Sequence, residues 1–300
     1  MDGRAHVPLT AFLVGMAGIA TFSMMDAVMK GLVLALGTYT TLFWRSLAGA
    51  AMAGALFARN PRWPDKPTLR IHLARGILGS VMAFLFFWGL ARVPIAQAIA
   101  LAFIAPLIAL YLAAVVLKES VGPRLVGASL IAFAGVVIII IGQARADLGR
   151  EALLGSLSIL ASAVCYAVNI ILMRRQALAA SPVEVGFFQS TIMAAVLLFA
   201  LPFVGGVARP PSDEVAFILL AAFLATTSLL LLSWAYARAQ ASYLATTEYT
   251  SLLWAALFGW VFFREPVSGF TISGAAMIVG GCLLAARNPE EADPSLEVAA

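Results

Sequence analysis

Apolar residues in this chain neither alternate with polar ones nor recur at helical spacing along one face. They come in continuous blocks about as long as a bilayer is thick, with charges, Pro and Gly as punctuation. A spanning helix needs about 20 such residues. The punctuation predicts ten spans, at 9–30, 38–58, 71–91, 95–117, 124–142, 153–173, 183–204, 214–236, 240–262 and 268–286. A β-barrel would require alternation, so the predicted class is an all-α membrane protein. The first run, from Leu9, is too long for a signal-peptide core and is read as the first span. Short connections predict one helical bundle. The polar segment after Arg287, NPEEADPSLEVAA, is expected to be a disordered tail.

Composition agrees: 62% of the 300 residues are hydrophobic and 11% are charged, against roughly 25% charged in soluble domains. No basic cluster is interleaved with aromatics outside the spans, so a nucleic-acid partner is not expected. Cys165 and Cys282 lie in apolar runs and read as reduced core residues. The distribution of Lys and Arg orients the bundle. Twelve fall on the side that holds both ends of the chain, six on the other, and Arg45 lies inside the second span. Both termini are therefore expected in the cytoplasm. The largest contribution is the loop RNPRWPDKPTLRIHLAR, with Arg59, Arg62, Lys66, Arg70 and Arg75, which reads as a topology anchor with an interfacial Trp63.

The chain also repeats. Shifted by 146 residues, segment 88–121 falls on segment 234–267 with eight of 34 positions identical. The informative matches are Trp88 with Trp234, Ala91-Arg92 with Ala237-Arg238, and Lys118-Glu119 with Arg264-Glu265. A shift of 144 sets FWRS (43–46) on FFQS (187–190). Each half would hold five spans. An odd number forces the second half to enter the membrane from the opposite side, the inverted-topology arrangement of secondary transporters. The expected units are 1–146, 147–288 and a cytoplasmic tail, 289–300.

With this layout, the Trp/Ala-Arg helix endings and the segments LKESVGPRLVGASLIAFAGVVII and FREPVSGFTISGAAMIVGG, the sequence resembles the drug/metabolite transporter superfamily. Within it, the closest likeness is to ten-helix members with two EamA-type repeats. It is also similar to bacterial exporters of aromatic amino acids. The resemblance implies an inner-membrane exporter of small amphipathic metabolites, most of all aromatic or large apolar amino acids, working by alternating access. A multidrug or other metabolite permease is the alternative. One departure is Leu252, which stands where the first repeat has Pro106.

Polar residues inside the spans carry the candidate chemistry. Glu248 lies eight residues into the ninth span, about 12 Å deep, where a charge is costly unless it faces the bundle interior. Its repeat partner is Ala102. Two readings stand: a substrate-amine or proton site, or a neutral Glu bonded to a neighbouring helix. At 100° per residue, Thr247 and Ser251 share its direction and Trp254 points away. The candidate substrate contacts are Glu248, Ser251, Thr247, Tyr249, Gln97, Phe84, Tyr166 and Asn169. Asp26, Lys30 and Arg45 form a candidate ion-pair cluster, read either as a tether between the first two spans or as an outer gate with a carboxylate-binding cation. Lys118-Glu119 and Arg264-Glu265 read as helix ends. The expected partners are the lipid bilayer, a small-molecule substrate and, for coupling, protons.

Other classes find little support. His6 and His72 lie at span edges, and no H-E-x-x-H motif or paired intramembrane Asp is present, so an intramembrane enzyme is not expected. No Walker A pattern occurs and no cofactor is expected. The inverted repeat favours a transporter over a channel.

Overall fold

The computed structural model describes residues 6–61, 63–105, 107–109, 111–112, 123–145, 149–236, 238 and 247–286. Ten helices run through them: α1 His6–Leu36, α2 Thr38–Phe57, α3 Lys66–Leu90, α4 Ile95–Ala102, α5 Pro123–Arg145, α6 Gly149–Ala179, α7 Pro182–Val204, α8 Ser212–Tyr236, α9 Ser251–Phe263 and α10 Gly269–Ala286. Each falls within an expected span or extends it by a few residues. Five are long and apolar enough to cross a membrane: α1, α3, α6, α7 and α8. α5, α9 and α10 are shorter apolar helices. α2 has twenty residues but is less apolar, because it carries Arg45 and several hydroxyl side chains. The start of the ninth span at Gln240, the Lys118-Glu119 pair, Pro106 and the tail lie outside the described residues.

Helix ends follow local chemistry. Asp65 caps α3 by accepting from the Thr68 N–H at 3.0 Å, with Pro67 in the first turn. Hydrogen bonding from Thr68 holds the exposed Asp65 carboxyl below the usual carboxylate range. Ser181 caps α7 in the same way, accepting from the Glu184 N–H. Gly37 alone joins α1 to α2; its φ of +79° is open to glycine and strained for other residues.

Packing is pairwise: α1 lies along α8, α3 along α6, α2 against α7, α4 against α9 and α5 against α10. Small residues permit the closest approaches. A Cβ on Gly274 would stand 2.6 Å from the Gly135 carbonyl oxygen and 2.5 Å from Ile139, and one on Gly89 would stand 2.5 Å from the Gly155 carbonyl. Large side chains such as Phe199, Phe203, Phe133 and Leu253 point outward, as a lipid-facing surface requires. The buried core is apolar and runs from α1 through α4 to α10.

The α5–α10 seam generates a stability prediction. Gly274→Leu should lower thermal stability in detergent by roughly 1–3 kcal/mol through overpacking. Gly280→Leu on the same helix, where no atom lies within 4 Å of the added Cβ, should leave the unfolding temperature nearly unchanged.

Candidate functional site

Two helices of the bundle break at corresponding places. α4 ends at Ala102; Phe103 and Ile104 form a turn, and helical residues resume at 105. Helical residues 247–248 give way to a turn at Tyr249–Thr250 before α9 starts at Ser251. The 146-residue shift sets 103–104 on 249–250. The two breaks meet, with the Phe103 and Tyr249 rings edge to face at 5.6 Å. Hydroxyls seal the second break. The Thr250 hydroxyl donates to the Thr247 carbonyl and the Ser251 hydroxyl to the Glu248 carbonyl, each at 2.6 Å. Thr247 is buried, while Glu248, Tyr249 and Ser251 are half-buried.

The Trp254 indole Nε1 lies buried in the protein with no hydrogen-bond partner.

Tyr166 and Asn169 both lie on α6, and Tyr166 is an electrostatic neighbour of Glu248 and of Arg75. Arg75, on α3, is 9% exposed. Its Nε donates to Asn169 Oδ1 at 3.1 Å and its Nη1 to Gln176 Oε1. Gln176 Nε2 in turn bonds His72 Nδ1, and His72 Nε2 lies 3.1 Å from Glu184 Oε1. With Nδ1 accepting from the amide, Nε2 carries the proton and donates to Glu184. The imidazole also stacks on Phe188, 4.6 Å between centroids. A polar chain thus links the starts of α3 and α7 to Gln176 and Asn169 on α6.

The expected Asp26–Lys30–Arg45 cluster separates. Lys30 forms its ion pair with Glu265, 235 residues away, and donates to the Val93 carbonyl at 2.6 Å. Glu265 Oε2 also accepts from the Ile95 N–H at 2.8 Å, at the start of α4. Glu265 is therefore a capping residue, but for a helix of the other half. The long Lys30 side chain reaches along α1 to that end, out of range of its i−4 neighbour. Asp26 keeps Arg45 as its electrostatic neighbour. Asp26 is 1% exposed, and both its carboxyl oxygens and Arg45 Nε are buried without hydrogen-bond partners. Arg45 Nη2 rests on Met193 Sδ at 3.5 Å.

Two other candidates lie elsewhere. Gln97 is buried and donates to Ser156 Oγ at 3.4 Å, tying α4 to α6. Phe84 is 37% exposed and shares the outward face of α3 with Leu73, Ile77 and Val81. Sequence reasoning placed Arg75 among the loop cations and missed its role, along with those of His72, Gln176 and Glu184. The available signal was the His72/Arg75 spacing of three, which sets both on one helix face inside an apolar span.

Comparisons with known proteins agree with this architecture. Residues 9–141 and 153–287 match the EamA-like transporter family. The riboflavin transporter of Rhizobium johnstonii is 31% identical over 91% of this chain and 89% of its own length. The pseudopaline exporter of Pseudomonas aeruginosa is 24% identical over 89% of this chain and 92% of its own length. A protein of known crystal structure superposes with a TM-score of 0.60 at 21% identity, covering 92% of this chain and 97% of the other. That superposition supports the fold.

The Lys30–Glu265 pair can be tested by a double-mutant cycle. Glu265→Leu alone strands a buried cation and should cost about 3–5 kcal/mol of stability. Adding Lys30→Met should recover part of that loss, measured as thermal unfolding in detergent.

Proposed function

The chain belongs to the EamA-like transporter family, and on that footing we propose that it moves small amphipathic metabolites by alternating access through the region where its two interrupted helices meet. It is a secondary transporter and not an enzyme, and a multi-pass protein of the bacterial inner membrane. The observation that carries the proposal is the pair of breaks at 103–104 and 249–250 with Phe103 on Tyr249. Discontinuous helices near the midplane, at a repeat interface, are where secondary transporters build substrate sites.

The inverted five-plus-five architecture is part of the proposal and has independent support. Exchanging the halves maps the α1–α8 contact onto α6–α3 and leaves the α2–α7, α4–α9 and α5–α10 contacts in place. Single bonds follow the same rule. Ser228 Oγ donates to the Gly18 carbonyl, and Ser162 Oγ to the Met82 carbonyl, both at 2.9 Å. These are the same position pair with the donor exchanged. Arg92 bonds the Trp88 carbonyl and covers its ring, and Arg238 does the same to Trp234. Rocking of one bundle against the other would then expose the site to each side in turn, with both termini cytoplasmic.

For the substrate, the broader class is preferred over amino acids alone. The named relatives handle pseudopaline and riboflavin, and the site offers aromatic edges from Phe103 and Tyr249 with hydroxyls and one acid beside them. Such a lining suits a flat apolar body with a polar group, of which aromatic amino acids are one case. Export is the proposed direction, and a proton on Glu248 or Asp26 the proposed coupling ion.

Counterflow in proteoliposomes with aromatic amino acids, riboflavin and hydrophobic drugs tests the reading. At least one class should exchange faster than in protein-free vesicles, and Glu248→Ala should reduce that exchange roughly tenfold. Unchanged exchange in both Glu248→Ala and Glu248→Gln would remove the site assignment. Absence of exchange across the panel would remove the substrate class.

A further inference from the structure

We propose that Arg75 recognises a carboxylate on the transported molecule, so that preferred substrates are amphipathic acids or zwitterions rather than neutral or purely cationic compounds. The proposal rests on reading the meeting point of the broken helices as the transport site.

The argument begins with what a buried guanidinium needs. Removing it from water costs several kcal/mol, which a carboxylate at hydrogen-bond distance offsets. Among the described residues the ion pairs are Lys30–Glu265 and Arg92–Glu151, and Glu184 accepts from neutral His72; none of these contacts includes Arg75. Arg45, the other internal arginine, has Asp26 as a charged neighbour. The fixed partners of Arg75 are two neutral amide oxygens, on Asn169 and Gln176. Amide oxygens orient a guanidinium and satisfy two of its donors without neutralising it.

The orientation is itself supported by the residues behind it. Gln176 is held by His72, and His72 by Glu184 and the Phe188 ring. The anion of Glu184 is thereby engaged at the far end of the chain. Nε and Nη1 of Arg75 each donate to one of these amides. Nη2 makes no hydrogen bond with a described residue, which leaves charged N–H donors for a carboxylate oxygen. Tyr166 is an electrostatic neighbour of both Arg75 and Glu248. A carboxylate at Arg75 would complete the missing ion pair. It would also leave an ammonium or other donor on the same molecule within the field of Glu248. The alternative role is a tether between α3 and α6, and that role is indifferent to whether the ligand carries a charge.

Two matched pairs separate these roles: L-tryptophan with L-tryptophanamide, and indole-3-propionate with indole-3-propionamide. Each is titrated onto the full chain in lipid nanodiscs. The acid of a pair should bind about tenfold tighter than its amide in the wild type. Arg75→Gln should abolish that ratio while leaving the amide's affinity within twofold, and Arg75→Lys should retain part of the ratio. If Arg75→Gln does not yield a monodisperse protein, Asn169→Leu keeps the charge but removes an orienting oxygen. It should weaken binding of the acid several-fold more than binding of its amide. Equal binding of acid and amide by the wild type, or a ratio that survives Arg75→Gln, overturns the proposal. So does transport of neutral or cationic compounds in the counterflow panel with no binding of either acid; the central-site reading then stands without it. If no panel compound is transported and no probe binds, the central-site reading falls and takes this inference with it.

Discussion

Inside hydrocarbon, every backbone N–H and C=O must find a partner within the protein. An interruption in a spanning helix is tolerated only where side chains or neighbouring helices take up the groups it releases. The Thr247–Ser251 turn meets that demand with its own hydroxyls, each placed three residues after the carbonyl it binds. The break in turn allows Tyr249 to leave the helical path and meet Phe103. It also puts the one acid of the segment where the chain is least regular. The break, the aromatic contact and the placement of Glu248 are thus consequences of one local sequence.

The internal charges show three degrees of satisfaction, and the degree separates scaffold from site. Lys30 has a carboxylate and a carbonyl, and its pair also caps a helix. Those bonds join α1, the start of α4 and the end of α9, which is enough to account for both residues as an anchor between the halves. Asp26 and Arg45 are electrostatic neighbours with hydrogen-bonding capacity unused. Arg75 is held firmly but by neutral groups. A fold selected for stability alone would gain by replacing such groups with apolar ones of equal volume. Their presence in an apolar interior fits the proposed transport of a polar molecule that visits and leaves.

The helices and their order were legible because they depend on block length and on a few polar positions at fixed separation. Trp88/Arg92 and Trp234/Arg238 illustrate the point: each Arg covers the Trp and bonds the carbonyl four residues before it, a contact local in sequence. What stayed hidden was non-local. Glu265 meets Lys30 across 235 residues, so the nearer Asp26 looked like the natural partner. Arg75 lies close enough to the cationic loop to be counted with it, and only the arrival of α6 shows it to be internal. The helix break was written in the sequence as T-T-E-Y-T-S. Its high apolar surroundings argued for an unbroken helix.

The scaffold and the chemistry obey different symmetries. Serine bonds at 18/228 and 82/162, the Trp–Arg endings and the two breaks recur in both halves. Glu248 answers to Ala102, and Arg75 to Ala221. In an alternating-access bundle the two end states have similar energy when the halves can exchange conformations, which asks for a repeated backbone and repeated contacts. Recognition asks for the opposite. A substrate with distinct ends is held in one orientation only by groups that are not repeated. A duplicated acid or arginine would also offer a second, reversed pose of equal energy. On the proposed mechanism, loss of symmetry at the polar positions therefore follows from its retention in the packing, and specificity is expected where this chain departs from its own repeat.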